Sequence, residues 1–125
     1  GKKSKIFGDG LQSRDFSYVS NVADANVRAL SLDEKTGQNL VMNIACGGKI
    51  TVSELHDSIS RIIYEKDHSN KIIPPEMLPP REGDILHSLA NIGQATASLG
   101  YVPTVSVEEG LEKTVSYHLK TPGGL

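Results

Sequence analysis

Apolar positions along the chain follow two rhythms, alternating near the start and three or four apart further on. Lys5-Ile6-Phe7, within Ser4–Gly8, is short and apolar and predicts a first strand. Gly8-Asp9-Gly10 stops it, since glycines around an aspartate mark a turn. Arg14 to Val19 alternates in polarity and is rich in aromatic and β-branched residues, which predicts a second strand. Asn21-Val22-Ala23-Asp24 predicts a helix start, with Asn21 capping the free N–H groups and Asp24 in the positive first turn. That helix is expected to run to about Lys35, before Gly37, with Val22, Ala25 and Ala29 on one face. Leu40 to Ala45 is apolar except for Asn43 and predicts a buried, parallel strand ended by Cys46-Gly47-Gly48.

The second half reads mainly as helix. Thr51-Val52-Ser53-Glu54 is a capping box, and Leu55, Ile59, Ile62 and Ile63 follow at helical spacing. Lys71 to Pro80 holds four prolines and predicts an extended loop with one short strand. Arg81-Glu82-Gly83-Asp84 continues the loop, and Ile85 to Leu89 is read as a further short strand. Asn91 caps a brief helix carrying Ile92, Ala95 and Leu99, which Gly100 closes. Ser106 with Glu109 forms a second capping box. The last helix places Val107, Leu111, Val115 and Leu119 four apart, and Thr121-Pro122-Gly123-Gly124 is expected to fray. The order is α/β, with a mixed small sheet and too few strands to complete a doubly wound sheet. Ile6 and the Leu40–Ala45 run call for neighbours that this chain does not supply, so the unit is expected to be incomplete alone.

Composition adds little and excludes much. The 125 residues carry a net charge of −2, so no field favours nucleic acid or an anionic membrane. The cluster Lys2, Lys3 and Lys5 reads as a solvated tail. With one cysteine, Cys46, no intrachain disulfide exists, which fits a reducing compartment. No apolar run approaches a membrane span and no signal peptide is visible, which leaves the cytoplasm as the expected location.

Two places carry candidate chemistry. Gly8 and Gly10 allow a backbone to approach a ligand, and Arg14 beside them could fork two hydrogen bonds onto a phosphate. The plainer reading is a surface arginine paired to a carboxylate such as Asp15. At Arg81-Glu82-Gly83-Asp84, Arg81 suits a phosphate and Asp84 suits vicinal sugar hydroxyls, with Gly83 letting both turn to one point. The plainer reading there is a polar surface turn. Gly47-Gly48-Lys49 is not a P-loop, because Ile50 stands where Ser or Thr is required. His56, His68, His87 and His118 share no i, i+4 face, so no metal site is expected; His87, just after the Asp84 turn, is a candidate pocket residue. There is no Gly-x-Gly-x-x-Gly and no Tyr-x-x-x-Lys, Tyr117 and Lys120 being one residue too close.

Three ordered stretches together carry a resemblance. Gly8-Asp9-Gly10-Leu11-Gln12-Ser13-Arg14-Asp15-Phe16-Ser17-Tyr18-Val19 resembles the opening of the substrate domain in extended short-chain dehydrogenase/reductases acting on nucleotide sugars. Asn43-Ile44-Ala45 with Gly47-Gly48 and Thr51 to Leu55 is similar to the strand and helix that follow there. Arg81 to Ser88, then Leu99-Gly100-Tyr101-Val102-Pro103, resembles the closing segment. Within the family the set is most similar to 4-epimerases of UDP-N-acetylhexosamines, with 4,6-dehydratases and decarboxylases as neighbours.

The resemblance implies that residues 1–125 form the C-terminal substrate-binding region. It implies Arg14 and Arg81 on the nucleotide diphosphate, Asp84 on the ribose hydroxyls, and Gln12 lining the site. In the family, bound NAD takes a hydride from C4 of the sugar and returns it to the other face of a 4-keto intermediate, with a Tyr and Lys as acid/base. Those parts are expected upstream, so no catalytic or NAD-binding residue is assigned here and the chain alone is expected to be inactive. Its implied partners are a UDP-sugar, the NAD-binding half and further copies of itself, because exposed apolar surface invites association. A non-catalytic nucleotide-binding module and a purely structural domain are the alternatives from other classes.

Overall fold

The computed structural model describes residues 2–33 and 40–121. Strand β1, Lys5–Phe7, pairs in parallel with β4, Glu76–Leu78, in the register Lys5–Glu76, Ile6–Met77 and Phe7–Leu78. Helix α1 covers Val19–Leu30, α2 Val52–Lys66, α3 Gly93–Leu99 and α4 Val107–Lys120. Strand β2, Ser13–Arg14, pairs antiparallel with β3, Ile50–Thr51. The fold is α/β, and its mixed strand content is divided between two separate two-stranded pieces.

The turn between β1 and β2 serves the start of α2. Gly8 and Gly10 both take positive φ, +83° and +76°, which a side chain rarely adopts. A Cβ on Gly10 would lie 2.0 Å from Ser53 Oγ. The glycine's close approach is therefore to α2 and leaves no room for a ligand, which corrects the expectation at Gly10. With the turn this close, Ser53 N donates to Gly10 O and Val52 N to Gln12 O, both at 3.0 Å. Thr51 and Glu54 complete the expected capping box. The N–H groups that a helix start leaves free are thus shared between a side chain and a neighbouring turn.

The first helix begins earlier than its sequence signal. Asn21 is not its cap: Tyr18 occupies that position, and Asn21 is a buried residue inside the first turn. Its Oδ1 accepts from Thr104 N at 3.1 Å and Val105 N at 3.0 Å, and its Nδ2 donates to Val105 O at 2.8 Å. The amide acts as a short strand edge for the loop before α4, which is more than a cap could offer. The helix takes Val19, residues 15–18 are neither strand nor helix, and of the expected Arg14–Val19 strand only Arg14 is in one, as part of Ser13–Arg14. Asp24 is then too deep to meet the first turn and pairs with Arg28 one turn on. Helix α1 ends at Leu30, with Ser31 as cap; the expected end at Lys35–Gly37 lies outside the described residues. Ala25 is buried, whereas Val22 and Ala29 face outward.

Ala25, Ala95 and Tyr101 form a core cluster against which Met42, Ile44, Ile92 and Leu99 pack. Tyr101 donates its hydroxyl to Ala45 O at 2.9 Å, and burial pushes its phenol above the ordinary tyrosine range. Met42 and Ile44 lean inward while Val41 is 87% exposed. Leu40–Ala45 keeps the alternation of a strand but is not one: among the described residues no strand runs beside it to share a ladder. The proline-rich loop does hold one short strand, β4, whereas Ile85–Leu89 makes a single bridge at His87 and no strand.

Helices α2 and α4 pack together and are joined at the surface by the Arg61–Glu108 ion pair. Ser106 caps α4 by accepting from Glu109 N at 3.2 Å. The return half of the box is replaced by Glu109 pairing with Lys113. On α4 the buried positions are Gly110 and Val115, and Leu119 is exposed. Gly110 is required by contact, because a Cβ there would sit 2.8 Å from Tyr18 Cβ. The N-cap of α3 is Ile92 and not Asn91, although Asn91 Oδ1, one residue earlier, accepts from Gly93 N at 2.8 Å. Gly100, at φ +60°, closes that helix with Gly100 N on Thr96 O and Tyr101 N on Ala95 O. Residues 122–125 of the expected frayed end lie outside the described residues.

Candidate functional site

The four sequence-predicted residues meet where β1 ends, β2 begins and the loop 81–84 passes. Arg14 leaves β2 half-buried and turns its guanidinium across the chain. NH1 donates to Ser13 O and NH2 to Asp84 Oδ1, both at 2.8 Å. The plainer reading of Arg14 thus holds in kind but not in partner. Asp15 is committed elsewhere, its two oxygens accepting from Cys46 N and Gly47 N at 3.0 Å each.

Arg81 lies over Phe7, its guanidinium carbon 3.7 Å from the ring centroid, a cation–π arrangement. Asp84 N donates to Arg81 O at 3.3 Å, closing the turn in which Gly83 takes φ +78°. Gln12 is buried, and its Nε2 donates to Phe7 O at 2.7 Å. Phe7 is therefore the common floor, gripped by Gln12 at its carbonyl and covered by Arg81 at its ring.

Two roles here escaped the sequence reading. Ser13 is 2% exposed, and its Oγ lies 3.0 Å from Nδ1 of His87. Asp15 ties β2 to the Cys46–Gly47 turn. A serine and an aspartate beside a strand arginine have no distinctive spacing, and their partners lie 74 and 31 or 32 residues away. Among the described residues, no group of three His, Cys, Asp or Glu could hold a metal ion, and no helix is long and apolar enough to cross a membrane.

Chemically, the corner offers two guanidinium groups and one carboxylate within reach of solvent. The Arg14–Asp84 pair has side chains 31% and 38% exposed. Pairs of that kind contribute about 0–1 kcal/mol, so a more highly charged ligand can exchange for Asp84 at small cost.

Residues 1–45 match the NAD dependent epimerase/dehydratase family. A UDP-glucose 4-epimerase of Mycolicibacterium smegmatis is 36% identical over 94% of this chain and 34% of its own length. The crystal structure of a UDP-glucose 4-epimerase from Thermotoga maritima, with UDP-glucose, superposes with a TM-score of 0.79 at 37% identity, covering 97% of this chain and 36% of that one. A UDP-N-acetylglucosamine 4-epimerase from Methanobrevibacter ruminantium, in complex with UDP-N-acetylmuramic acid, gives 0.79 at 36% identity over 94% of this chain and 35% of its own. The chain spans about a third of the length of the relatives it matches. Sequence and fold together place it with the NAD dependent epimerase/dehydratase family of extended short-chain dehydrogenase/reductases, as a counterpart of about a third of the length of the nucleotide-sugar 4-epimerases it resembles.

Proposed function

We propose that this chain is the C-terminal substrate-binding region of an NAD-dependent nucleotide-sugar 4-epimerase and supplies the corner that holds the UDP-sugar by its diphosphate and ribose. Arg14 and Arg81 take the diphosphate from two sides, Asp84 accepts from the ribose hydroxyls, and Gln12 lines the site with Oε1, its Nε2 being committed to Phe7. The observation that carries the reading is the pairing of Arg14 with Asp84 across seventy residues of sequence. It brings two of the three polar groups for a nucleoside diphosphate to one point. A charge-assisted contact to phosphate is worth about 1.5–3 kcal/mol. That exceeds the weak pair it displaces and frees Asp84 for the sugar.

Among the described residues, two glycine turns are taken up by packing: a Cβ on Gly10 would meet Ser53 at the start of α2, and one on Gly47 would meet Ile92 at 3.4 Å. Hydride transfer and the acid/base pair belong, in this reading, to the other two thirds of a relative-length protein. Its substrate would be a UDP-hexose or UDP-N-acetylhexosamine, inverted at C4. The exposed apolar residues Val19, Val22, Val27 and Leu30 on α1, and Val41, would then be covered by that remainder or by further copies of this chain.

The test is a titration of the chain with UDP followed by amide chemical shifts. Binding is expected to be weak and centred on residues 12–15 and 81–87. Arg14→Ala and Arg81→Ala are each expected to weaken it by about tenfold or more, the scale of one charged hydrogen bond. No 4-epimerase turnover is expected from the chain by itself. Indifference to both substitutions, or turnover without any other protein, would overturn the proposal.

A further inference from the structure

The two acceptors that hold the Arg14 guanidinium, Ser13 O and Asp84 Oδ1, come from segments that are barely joined by backbone. Strand β2 has two residues, and its contact with the 84–88 stretch is one parallel bridge at His87. There Ser13 N donates to Leu86 O at 2.8 Å and Ser88 N donates to Ser13 O at 3.1 Å. A bridge this short specifies register weakly, and a slip by one residue would send alternate side chains to the opposite face. Ser13 O is also shared, since Ser88 N and Arg14 NH1 both donate to it. Whatever moves the bridge moves the arginine.

One side-chain contact reinforces the crossing. Ser13 Oγ, on a residue 2% exposed, lies 3.0 Å from Nδ1 of the exposed His87. Ser13 donates to the ring when His87 carries its proton on Nε2. We propose that His87 is a positioning residue for diphosphate binding. Through Ser13 it holds β2 in register with the 84–88 stretch, so the Arg14 guanidinium stays between Ser13 O and Asp84. His87 does not itself touch the ligand. The ligand half of this inference rests on the binding function proposed above; the geometric half does not.

The experiment compares His87→Ala with His87→Asn, whose amide places a polar atom where Nδ1 stands, in the 125-residue chain. Two quantities are read by NMR. Rotation about the Arg14 Nε–Cζ bond needs no ligand, and a UDP titration reports binding. His87→Ala is expected to speed the rotation severalfold and to weaken UDP about three- to tenfold, the scale of one side chain losing its preorganisation. His87→Asn is expected to restore both to within about twofold of the unchanged chain. If His87→Ala does not fold, Ser13→Ala removes the same contact and keeps both backbone bonds of the bridge. Unchanged Arg14 rotation in a folded His87→Ala or Ser13→Ala chain overturns the positioning role. So does failure of a folded His87→Asn to restore it. Slow, His87-dependent rotation without any UDP response overturns the binding function and leaves the geometric role standing.

Discussion

Asn21 separates two physical readings of the same residue. As a helix cap it would satisfy one or two N–H groups, and Ser or Asp would replace it with little loss. As the clamp seen here it accepts from Thr104 N and Val105 N and donates to Val105 O, with 1% of its surface exposed. Asn21→Ala leaves these backbone groups without partners. At about 1 kcal/mol net for each of the three bonds, the loss comes to about 3 kcal/mol. With a urea slope of roughly 1.5–2 kcal/mol per molar for a domain of this size, the midpoint should fall by about 1.5–2 M. Asn21→Ser is too short to reach both partners, and Asn21→Asp would set a carboxylate oxygen against Val105 O, now 2.8 Å from Nδ2. Both are expected to lose most of what Ala loses. The assay is urea unfolding followed by far-ultraviolet circular dichroism, with hydrogen exchange at the Thr104 and Val105 amides as the local reporter. Unfolding of Asn21→Ser or Asn21→Asp within about 0.5 kcal/mol of the unchanged chain, with both amides still protected, would refute the clamp and restore the cap.

Two further predictions follow from packing and charge. Gly110→Ala should destabilise by up to about 2 kcal/mol in thermal unfolding: overpacking costs about 1–3 kcal/mol, and here Tyr18 Cβ lies 2.8 Å from the added methyl. The opposing gain in helix propensity is about 1 kcal/mol, and a stabilised variant would show that Tyr18 yields freely. Hydrogen bonds from the Thr51 backbone and then its hydroxyl hold the Glu54 carboxyl below its usual range, and bonds from the Ser69 side chain and backbone do the same for Asp67. A depressed carboxylate contributes stability that is complete above its unfolded-state pKa and lost as pH falls through the folded value. Stability should therefore fall on acidification below about pH 4, and less steeply in Glu54→Gln, which keeps an acceptor but does not titrate. Equal slopes in the two chains would refute the assignment.

The sequence was most informative where the physics is local. The capping box at Thr51–Glu54, the left-handed close at Gly100 and the Gly8–Gly10 turn depend on residues within a few positions of one another, and each stands as read. Helix α2 follows with its whole capping box and α4 with the Ser106 half of its own, whereas α3 is capped at Ile92, one residue past the expected Asn91. The nucleotide-sugar resemblance belongs here too, since three ordered motifs survive in one dimension.

Tertiary structure decided whatever depended on a distant partner. Asn21 carries a cap's chemistry, but the Thr104–Val105 loop, 83 and 84 residues away, claims its amide and lets α1 begin at Val19. Leu40–Ala45 has a strand's alternation, yet a strand exists by sharing hydrogen bonds with a neighbour, and none runs beside it among the described residues. Arg14 could have paired with adjacent Asp15; the fold gives Asp15 to the Cys46–Gly47 turn and brings Asp84 to the arginine. Residue type sets what a side chain can bond. Which bond forms depends on what the chain brings within about 3 Å, and spacing along the sequence does not encode that distance.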